Sequence, residues 1–176
     1  MNPNLYVIKG RPNWGKTSTC WKLLHLLKQH VVCYNYWELF TFHHSVTYND
    51  DEKKQCYEYL DLKPQKRDVV DFIAIVHLDS NNPNSKVAII SVGEDPFYIK
   101  RAIHKALGEN AHYIVCCERI EDEQETTNRI LHDEFDISLM KEYSLEKQRD
   151  DYEEKRIAEE ICNQLLTDLN LKKITI

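Results

Sequence analysis

The residues best suited to chemistry lie in the stretch YVIKGRPNWGKTST, residues 6–19. The chain has four glycines in 176 residues, far fewer than the average of about 7%. Two of them, Gly10 and Gly15, stand five residues apart, and Lys16 and Thr17 follow the second. A glycine lets the backbone approach a ligand closely because it has no Cβ. The spacing G-x-x-x-x-G-K-T therefore predicts a loop that binds phosphate.

The sequence on each side of this loop has a regular pattern. The apolar run LYVI before Gly10 is typical of a buried strand, whereas Cys20, Leu23, Leu24 and Leu27 recur at the spacing of one helix face. A strand, a glycine loop and a helix in this order place the helix N-terminus where it can bind an anion. The alternative is a glycine turn before an ordinary helix.

The stretch GRPNWGKT resembles the Walker A motif of the P-loop NTPase superfamily. The resemblance implies that the chain binds ATP and Mg²⁺, with the backbone N–H groups of residues 11–17 directed at the phosphates. It also implies that Lys16 reaches the β- and γ-phosphates and that the Thr17 hydroxyl ligates Mg²⁺. The residues predicted to bind the nucleotide are Gly10, Arg11, Asn13, Trp14, Gly15, Lys16, Thr17 and Ser18.

Several side chains of the loop have more than one expected role. Arg11 either contacts a phosphate or reaches out to a partner. The motif dictates neither Asn13 nor Trp14, and the Trp14 ring either lies over a base or covers the loop. Ser18 and Thr19 are expected to cap the same anion as the loop.

An acid for the metal is expected after the strand KVAIISV. Glu94 and Asp95 follow Gly93 in SVGEDP, and the ends of parallel strands face the ligand crevice. The resemblance makes one of the two acids a ligand of Mg²⁺ or of a water, without deciding which. The match is irregular, because Ser91 and Gly93 interrupt a pattern in which the acid normally ends the apolar run. In the alternative, the pair only stabilises the start of a helix.

An arginine is expected to meet the charge that develops on a transferred phosphoryl group. Arg119 follows the strand HYIVCCE and should emerge at the same sheet edge as the loop. The alternative is a surface arginine paired with Glu118 or Glu121. Arg101 and Arg129 lie in predicted helices and are expected to face solvent. The predicted catalytic residues are Lys16, Glu94, Asp95 and Arg119.

The alternation of strands and helices predicts an α/β three-layer sandwich with a mostly parallel sheet, in one domain spanning residues 1–176. The strands DFIAIVHL and KVAIISV are joined by DSNNPNS, which is too short for a crossover helix. They should therefore form an antiparallel hairpin, with residues 71–78 at the edge of the sheet. Helices are also predicted near 51–60, from Pro96 to about 107, over 123–133 and over 147–168.

The polar stretch at about 38–68 is predicted to be an insertion that covers the substrate side. Glu38 ends the second predicted strand, VVCYNYW, and the resemblance to P-loop proteins implies that it lies where related kinases seat their acceptor. His43 and His44 lie in this stretch, and solvated histidines are the expected reading.

Composition narrows the choice of function. The net charge of −6 argues against a broad nucleic-acid-binding face, and a kinase that acts on nucleic-acid ends is therefore disfavoured.

No apolar run approaches the roughly 18 residues of a membrane span, and the start of the chain has no signal-peptide pattern, so a cytoplasmic protein is expected. The six cysteines contain no C-x-x-C pair, which argues against a structural zinc site and favours small core residues.

The chain as a whole resembles small uncharacterised bacterial P-loop ATPases and nucleotide-kinase-like proteins. This narrower resemblance rests on the predicted hairpin, the glycine–acid step after it and a strand that ends near Arg119. It implies Mg²⁺-dependent phosphoryl transfer from ATP to a small-molecule or nucleotide acceptor, or ATP hydrolysis. The alternative is a nucleotide-dependent switch with slow hydrolysis that acts through a protein partner. ATP is preferred over GTP because the sequence has no N-K-x-D tetrapeptide.

Overall fold

Strands and helices alternate along the described part of the chain. The computed structural model describes residues 3–41, 44–47, 71–92, 96–120 and 139–171. Their elements are β1 (Asn4–Gly10), α1 (Lys16–Leu27), β2 (Cys33–Thr41), β3 (His44–Thr47), β4 (Asp71–His77), β5 (Lys86–Ile90), α2 (Pro96–Gly108), β6 (Tyr113–Arg119), β7 (Leu139–Ser144) and α3 (Asp151–Asp168). A short 3₁₀ turn, Lys28–His30, follows α1.

The strands form one mixed sheet in the order β3-β2-β4-β5-β6-β1-β7. Strands β5, β6, β1 and β7 are mutually parallel. Strand β4 is antiparallel to both β5 and β2, and β3 is antiparallel to β2. Since β2 thus runs in the same direction as β5, only β3 and β4 oppose the common direction. The described residues therefore confirm the predicted α/β class with a mostly parallel sheet.

Helices cover both faces of this sheet. Along β1 the buried side chains alternate, with Tyr6 and Ile8 in the core beneath α1 and α3, and Leu5 and Val7 in a second core beneath α2. A strand buried on both faces reads as a continuous apolar run, which is why LYVI is apolar at every position. The two cores give the three layers that the sequence predicts.

The position predicted for residues 71–78 is wrong. Strand β4 pairs antiparallel with β5, as expected, but it lies inside the sheet, between β2 and β5. The edge strand on that side of the sheet is β3, which forms an antiparallel hairpin with β2. The five residues from Phe72 to Val76 are all essentially inaccessible, as expected of an interior strand rather than an exposed edge.

Strand β2 extends four residues past the predicted VVCYNYW, to Thr41. The beginning of the predicted insertion therefore belongs to the sheet, as residues 38–41 of β2 and 44–47 of β3. His44 is the first residue of β3, whereas His43 and the predicted helix near 51–60 lie outside the described residues.

The helix boundaries follow their caps. Helix α3 begins at Asp151 rather than at 147 because the Asp150 carboxylate accepts hydrogen bonds from the N–H groups of Tyr152 and Glu153, at 3.1 and 3.3 Å. Helix α2 ends at Gly108 as predicted, but the left-handed residue that follows is Asn110, with φ 60°. None of the described helices is long and apolar enough to cross a membrane.

The cysteines divide between core and surface. Cys116 and Cys117 are buried in β6 as predicted, and burial raises the pKa of the Cys116 thiol well above its usual value. Burial likewise raises the pKa of Cys162, in α3, to about 11. Cys33 was expected in the core but is exposed at the start of β2.

An aromatic cluster fills the core where α1 crosses the β2 side of the sheet. The Trp37 ring lies 5.8 Å from Trp21 and 5.5 Å from Phe72, measured between ring centroids. We predict that Trp37→Ala lowers the free energy of unfolding by about 3–5 kcal/mol, because it leaves a cavity between these rings. Chemical denaturation measures this loss, and Val32→Ala at an exposed position should change stability by less than about 0.5 kcal/mol. Equal effects of the two substitutions would contradict the packing.

Candidate functional site

The sheet directions bring three chain segments to one edge. Strands β1 and β6 are parallel and end side by side, with Gly10 opposite Arg119 in the register. The N–H of Ile120 donates to the Gly10 carbonyl at 3.1 Å, which continues the pairing past the strand. Because β4 is antiparallel to β5, its first residue, Asp71, lies at the edge where the parallel strands end.

The loop between β1 and α1 contains two left-handed residues. Asn13 has φ 60° and Gly15 has φ 93°; glycine adopts this conformation freely and asparagine more readily than most residues. The Trp14 N–H donates to the Arg11 carbonyl at 3.3 Å, and the Arg11 guanidinium lies 5.6 Å from the centroid of the Trp14 ring. Trp14 therefore covers the loop against the core beneath α1, with Arg11 over its ring.

Both glycines of the motif have side chains close to them, and Gly15 is the more tightly constrained. A Cβ on Gly10 would lie 3.3 Å from the Cβ of Leu145, which follows β7. A Cβ on Gly15 would lie 2.1 Å from Oε1 of Glu154 in α3. Gly15 is therefore required both by its backbone conformation and by the carboxylate against it.

Lys16 lies under the loop rather than on its surface. Its residue is only 7% exposed, and its ammonium donates to the carbonyls of Gly10 and Arg11, both at 2.9 Å. The cation is thus held at the entry to the loop by backbone oxygens.

A carboxylate lies directly beside Thr17. The Thr17 hydroxyl donates to Oδ1 of Asp71 at 2.6 Å, and the Ser91 hydroxyl donates to the same oxygen at 3.1 Å. Ser91 also accepts the N–H of Phe72 at 2.7 Å, which ties the end of β5 to the start of β4. The structure therefore assembles a hydroxyl and an acid on neighbouring elements.

Asp71 is not among the residues selected from the sequence. It precedes an apolar strand, in VVDFIAIVHL, whereas the sequence pattern predicts the acid after such a strand. An acid before an antiparallel strand reaches the same edge as an acid after a parallel strand. The antiparallel hairpin predicted from the short DSNNPNS connection could therefore have identified Asp71 as an acid at this site.

Glu94 and Asp95 lie outside the described residues, so their role stays a prediction. The strand before them, β5, is separated from β1 by β6. At the usual spacing of neighbouring strands, the ends of β1 and β5 are about 10 Å apart. Strand β4 lies one strand further from β1 than β5 does, and Asp71 contacts Thr17 because Thr17 is in α1 and not in β1.

Arg119 lies at the predicted edge, at the end of β6 and opposite Gly10. Alternation along β6 places it on the face of Cys117, whose Sγ lies 3.4 Å from Sγ of Cys20 in α1. Glu118 lies on the opposite face, where it pairs with Lys9 at 3.4 Å. Arg119 is therefore on the same side of the sheet as the loop helix, and its catalytic role stays a prediction.

The thiol contact between α1 and β6 gives no reactive group. The hydrogen bond with Cys117 and burial raise the pKa of the Cys20 thiol well above its usual value. A protonated buried thiol is a poor nucleophile. This contact therefore packs α1 onto the sheet below the loop.

Ser18 is bound to a carboxylate of α3. Its hydroxyl donates to Oε2 of Glu154 at 2.6 Å, and the Lys22 ammonium forms an ion pair with the same oxygen. The Glu154 side chain is only 6% exposed. Lys22 also pairs with Asp151 at 3.0 Å, so the first turns of α1 and α3 are joined by charged groups.

Two neighbouring acids of α3 are buried and do different work. Glu153 accepts the N–H groups of Glu146 and Lys147, at 3.0–3.1 Å, and so holds the connection between β7 and α3. Glu154 contacts the loop between β1 and α1 and the Ser18 hydroxyl. Both lie on the face of α3 that also carries Ile157. Because acids are unusual on the apolar face of a helix, this pattern in the sequence could have identified Glu153 and Glu154 as buried, bonded residues.

Arg101, predicted to face solvent, has a side chain that is 40% exposed but also binds a buried carboxylate. Its guanidinium donates to Oε1 of Glu38 at 2.6 Å, and the Tyr36 hydroxyl donates to Oε2 at 2.7 Å. Glu38 is 1% exposed, and a buried carboxylate needs such partners. Arg129 lies outside the described residues.

Comparison with protein-family models, with curated proteins and with solved structures finds no match for this chain. Within the described residues there is also no group of three or more histidine, cysteine, aspartate or glutamate side chains that could hold a metal ion. The site must therefore be interpreted from its own geometry.

The glycine at position 15 yields the first test of this geometry. We predict that Gly15→Ala lowers the free energy of unfolding by about 2 kcal/mol or more, because φ becomes strained and the new Cβ meets Glu154. Gly108→Ala is the matched control, since a Cβ there meets nothing within 4 Å and replaces glycine in a helix. Thermal or urea unfolding should show Gly108→Ala to be neutral or more stable by up to about 1 kcal/mol.

The steric part of this effect can be separated from the backbone part. Combining Glu154→Ala with Gly15→Ala should cost less stability than the sum of the two single substitutions, because the first removes the carboxylate that the new Cβ meets. Additive losses, together with a Gly15→Ala loss below that of an ordinary surface change, would contradict the contact.

Proposed function

We propose that the chain is an ATP-binding protein of the P-loop NTPase class that transfers or hydrolyses the terminal phosphate with Mg²⁺. The observation that carries the proposal is the 2.6 Å contact between the Thr17 hydroxyl and the Asp71 carboxylate, next to a lysine held in the glycine loop. The P-loop fold is part of this proposal. The three-layer α/β architecture and the loop between β1 and α1 support it.

The side chains suit the two ends of a bound Mg²⁺–triphosphate. Lys16 would contact the β- and γ-phosphates, and backbone N–H groups between residues 11 and 17 would act as donors at the positive end of α1. Pro12 has no N–H, and the Trp14 N–H already donates to Arg11, so neither of these two is counted as a donor. Mg²⁺ takes oxygen ligands and is usually held by one or two carboxylates together with substrate phosphates. Thr17 and Asp71 provide a hydroxyl and a carboxylate in that arrangement, and Mg²⁺ when bound would neutralise charge on the phosphates.

The remaining predicted residues have supporting roles in this proposal. Arg119 would meet charge on the phosphoryl group from the end of β6. Glu94 or Asp95 would orient a water or serve the metal together with Asp71. The acceptor, a small molecule or a nucleotide, would enter on the side of residues 38–68. Glu38 itself is engaged by Arg101 and Tyr36, so acceptor contacts are assigned to other residues of that stretch.

One observation favours the alternative of a nucleotide-dependent switch that acts through a protein partner. Phe97 and Tyr152 are 68% and 78% exposed, and they lie in the first turns of α2 and α3, the helices that follow β5 and β7. Exposed aromatic residues are common in protein interfaces. A switch and an enzyme would share the same nucleotide site.

Incubation with γ-labelled ATP and Mg²⁺, with and without pooled nucleosides and nucleotides, separates these functions. Label in an acceptor identifies a phosphotransferase, and label released as phosphate identifies an ATPase. Tight binding with neither product identifies a switch. No binding of labelled ATP to the folded protein would contradict all three.

Removal of the loop cation is the direct test of binding. We predict that Lys16→Ala weakens Mg·ATP binding at least about 100-fold, because the phosphates lose their charged hydrogen-bond donor. Isothermal titration calorimetry measures the dissociation constant, and Lys155→Ala, an exposed position on α3, serves as the control with the same charge change. Equal dissociation constants for both variants and the wild type would exclude the site.

The metal role of Asp71 has a separate readout. We predict that Asp71→Asn raises the Mg²⁺ concentration needed for half-maximal activity by about 10- to 100-fold, while the amide oxygen can still accept from Thr17. Asp79→Asn, in the turn after β4, removes the same charge outside the site. An unchanged Mg²⁺ dependence in Asp71→Asn, with a changed one in Glu94→Gln or Asp95→Asn, would assign the metal to the latter pair.

A further inference from the structure

The first turn of α1 already has an anion beside it. Its N-cap is Gly15, which has no side chain to cap the helix, and its first turn contains no acid. The carboxylate there comes from α3, where Glu154 accepts from the Ser18 hydroxyl at 2.6 Å. The carboxylate also lies against Gly15, since its Oε1 would be 2.1 Å from a Cβ added at that residue.

This carboxylate shares its surroundings with the proposed phosphate site. Ser18 was predicted to help bind the nucleotide, and it directly follows Thr17 in the first turn. An anion at a helix N-terminus is stabilised by the helix dipole, but two anions there repel each other. The Lys22 ion pair offsets part of the Glu154 charge, and Asp151 in turn shares Lys22.

We propose that Glu154 is an anionic competitor that weakens polyphosphate binding to the loop. A phosphate at the first turn of α1 must either displace the carboxylate from Ser18 or lie next to it. The inference rests on the proposed function, because it assumes that the ligand is a polyphosphate. In this proposal Glu154 sets the affinity of the loop for polyphosphate, whereas Lys16 and Thr17 provide binding itself.

A purely structural role gives the opposite expectation. If Glu154 only joins α1 to α3, its neutralisation loosens the loop and leaves polyphosphate binding unchanged or weaker. If Glu154 competes with phosphate, neutralisation makes binding tighter. The direction of the change in the dissociation constant therefore separates the two roles.

The test is the dissociation constant of Mg·ATP for Glu154→Gln, measured by isothermal titration calorimetry. Glutamine keeps the length and an acceptor oxygen for Ser18 and removes only the charge. We expect about tenfold tighter binding than in the wild type, from the loss of one unit charge near the phosphates. Inorganic tripolyphosphate should gain as much as ATP, because the effect acts on the phosphates and not on the nucleoside.

Two further variants make the result decisive. Glu160→Gln removes the same charge from an exposed position of α3, and it should leave both dissociation constants within twofold of the wild type. Glu154→Ala tests the same direction without the amide, which covers the case in which Glu154→Gln folds poorly by circular dichroism. Unchanged or weaker binding in the folded Glu154 variants, or a gain for ATP without one for tripolyphosphate, would overturn the proposal.

Failure of this inference is distinguishable from failure of the proposed function. If Lys16→Ala loses binding while the Glu154 variants match the wild type, only the competitor role fails. If Lys16→Ala binds ATP as the wild type does, the phosphate site itself fails, and with it the competitor role.

Discussion

The contact between Gly15 and the Glu154 carboxylate is the constraint on which the loop geometry depends. Gly15 must have a positive φ for α1 to begin directly after the loop, and the absence of a Cβ leaves room for the carboxylate. Ser18 and Lys22 on α1 hold that carboxylate in place. The start of α3 is thereby fixed to the start of α1, and both helices pack over the same core.

The site depends equally on the reversal of chain direction between β5 and β4. In a wholly parallel sheet, the first residue of each strand lies at the opposite side of the sheet from the carboxyl ends of the strands. Because β4 is antiparallel, Asp71 reaches Thr17, and Ser91 at the end of β5 holds its carboxylate. A hydroxyl and an acid far apart in sequence thus become neighbours.

Buried acids and their partners recur around this edge. Glu38 is paired with Arg101, Glu153 is hydrogen-bonded to backbone N–H groups, and Glu154 contacts Ser18 and Lys22. A buried carboxylate is costly unless it is paired or hydrogen-bonded. Each of these acids therefore fixes one connection, and only Glu154 does so at the proposed phosphate site.

The sequence alone predicted β1, α1 and the loop between them, because these depend on local patterns. The apolar run of residues 5–8, the glycine spacing and the periodicity of α1 predict a strand, a loop and a helix that the structure contains. The short DSNNPNS connection likewise predicts the antiparallel pairing of β4 and β5. Such features follow from residues close together in the chain, where side-chain period and turn length decide the outcome.

Only the tertiary structure decided which side chains meet. The interior position of β4 depends on its pairing with β2, and no local sequence pattern relates these two strands. The same pairing places Glu38 of β2 where Arg101 binds it. Asp71 and Glu154 lie 54 and 136 residues from their hydroxyl partners on α1. Sheet order and helix packing join these residues, and both are set by the burial of the whole chain's apolar surface rather than by any one segment.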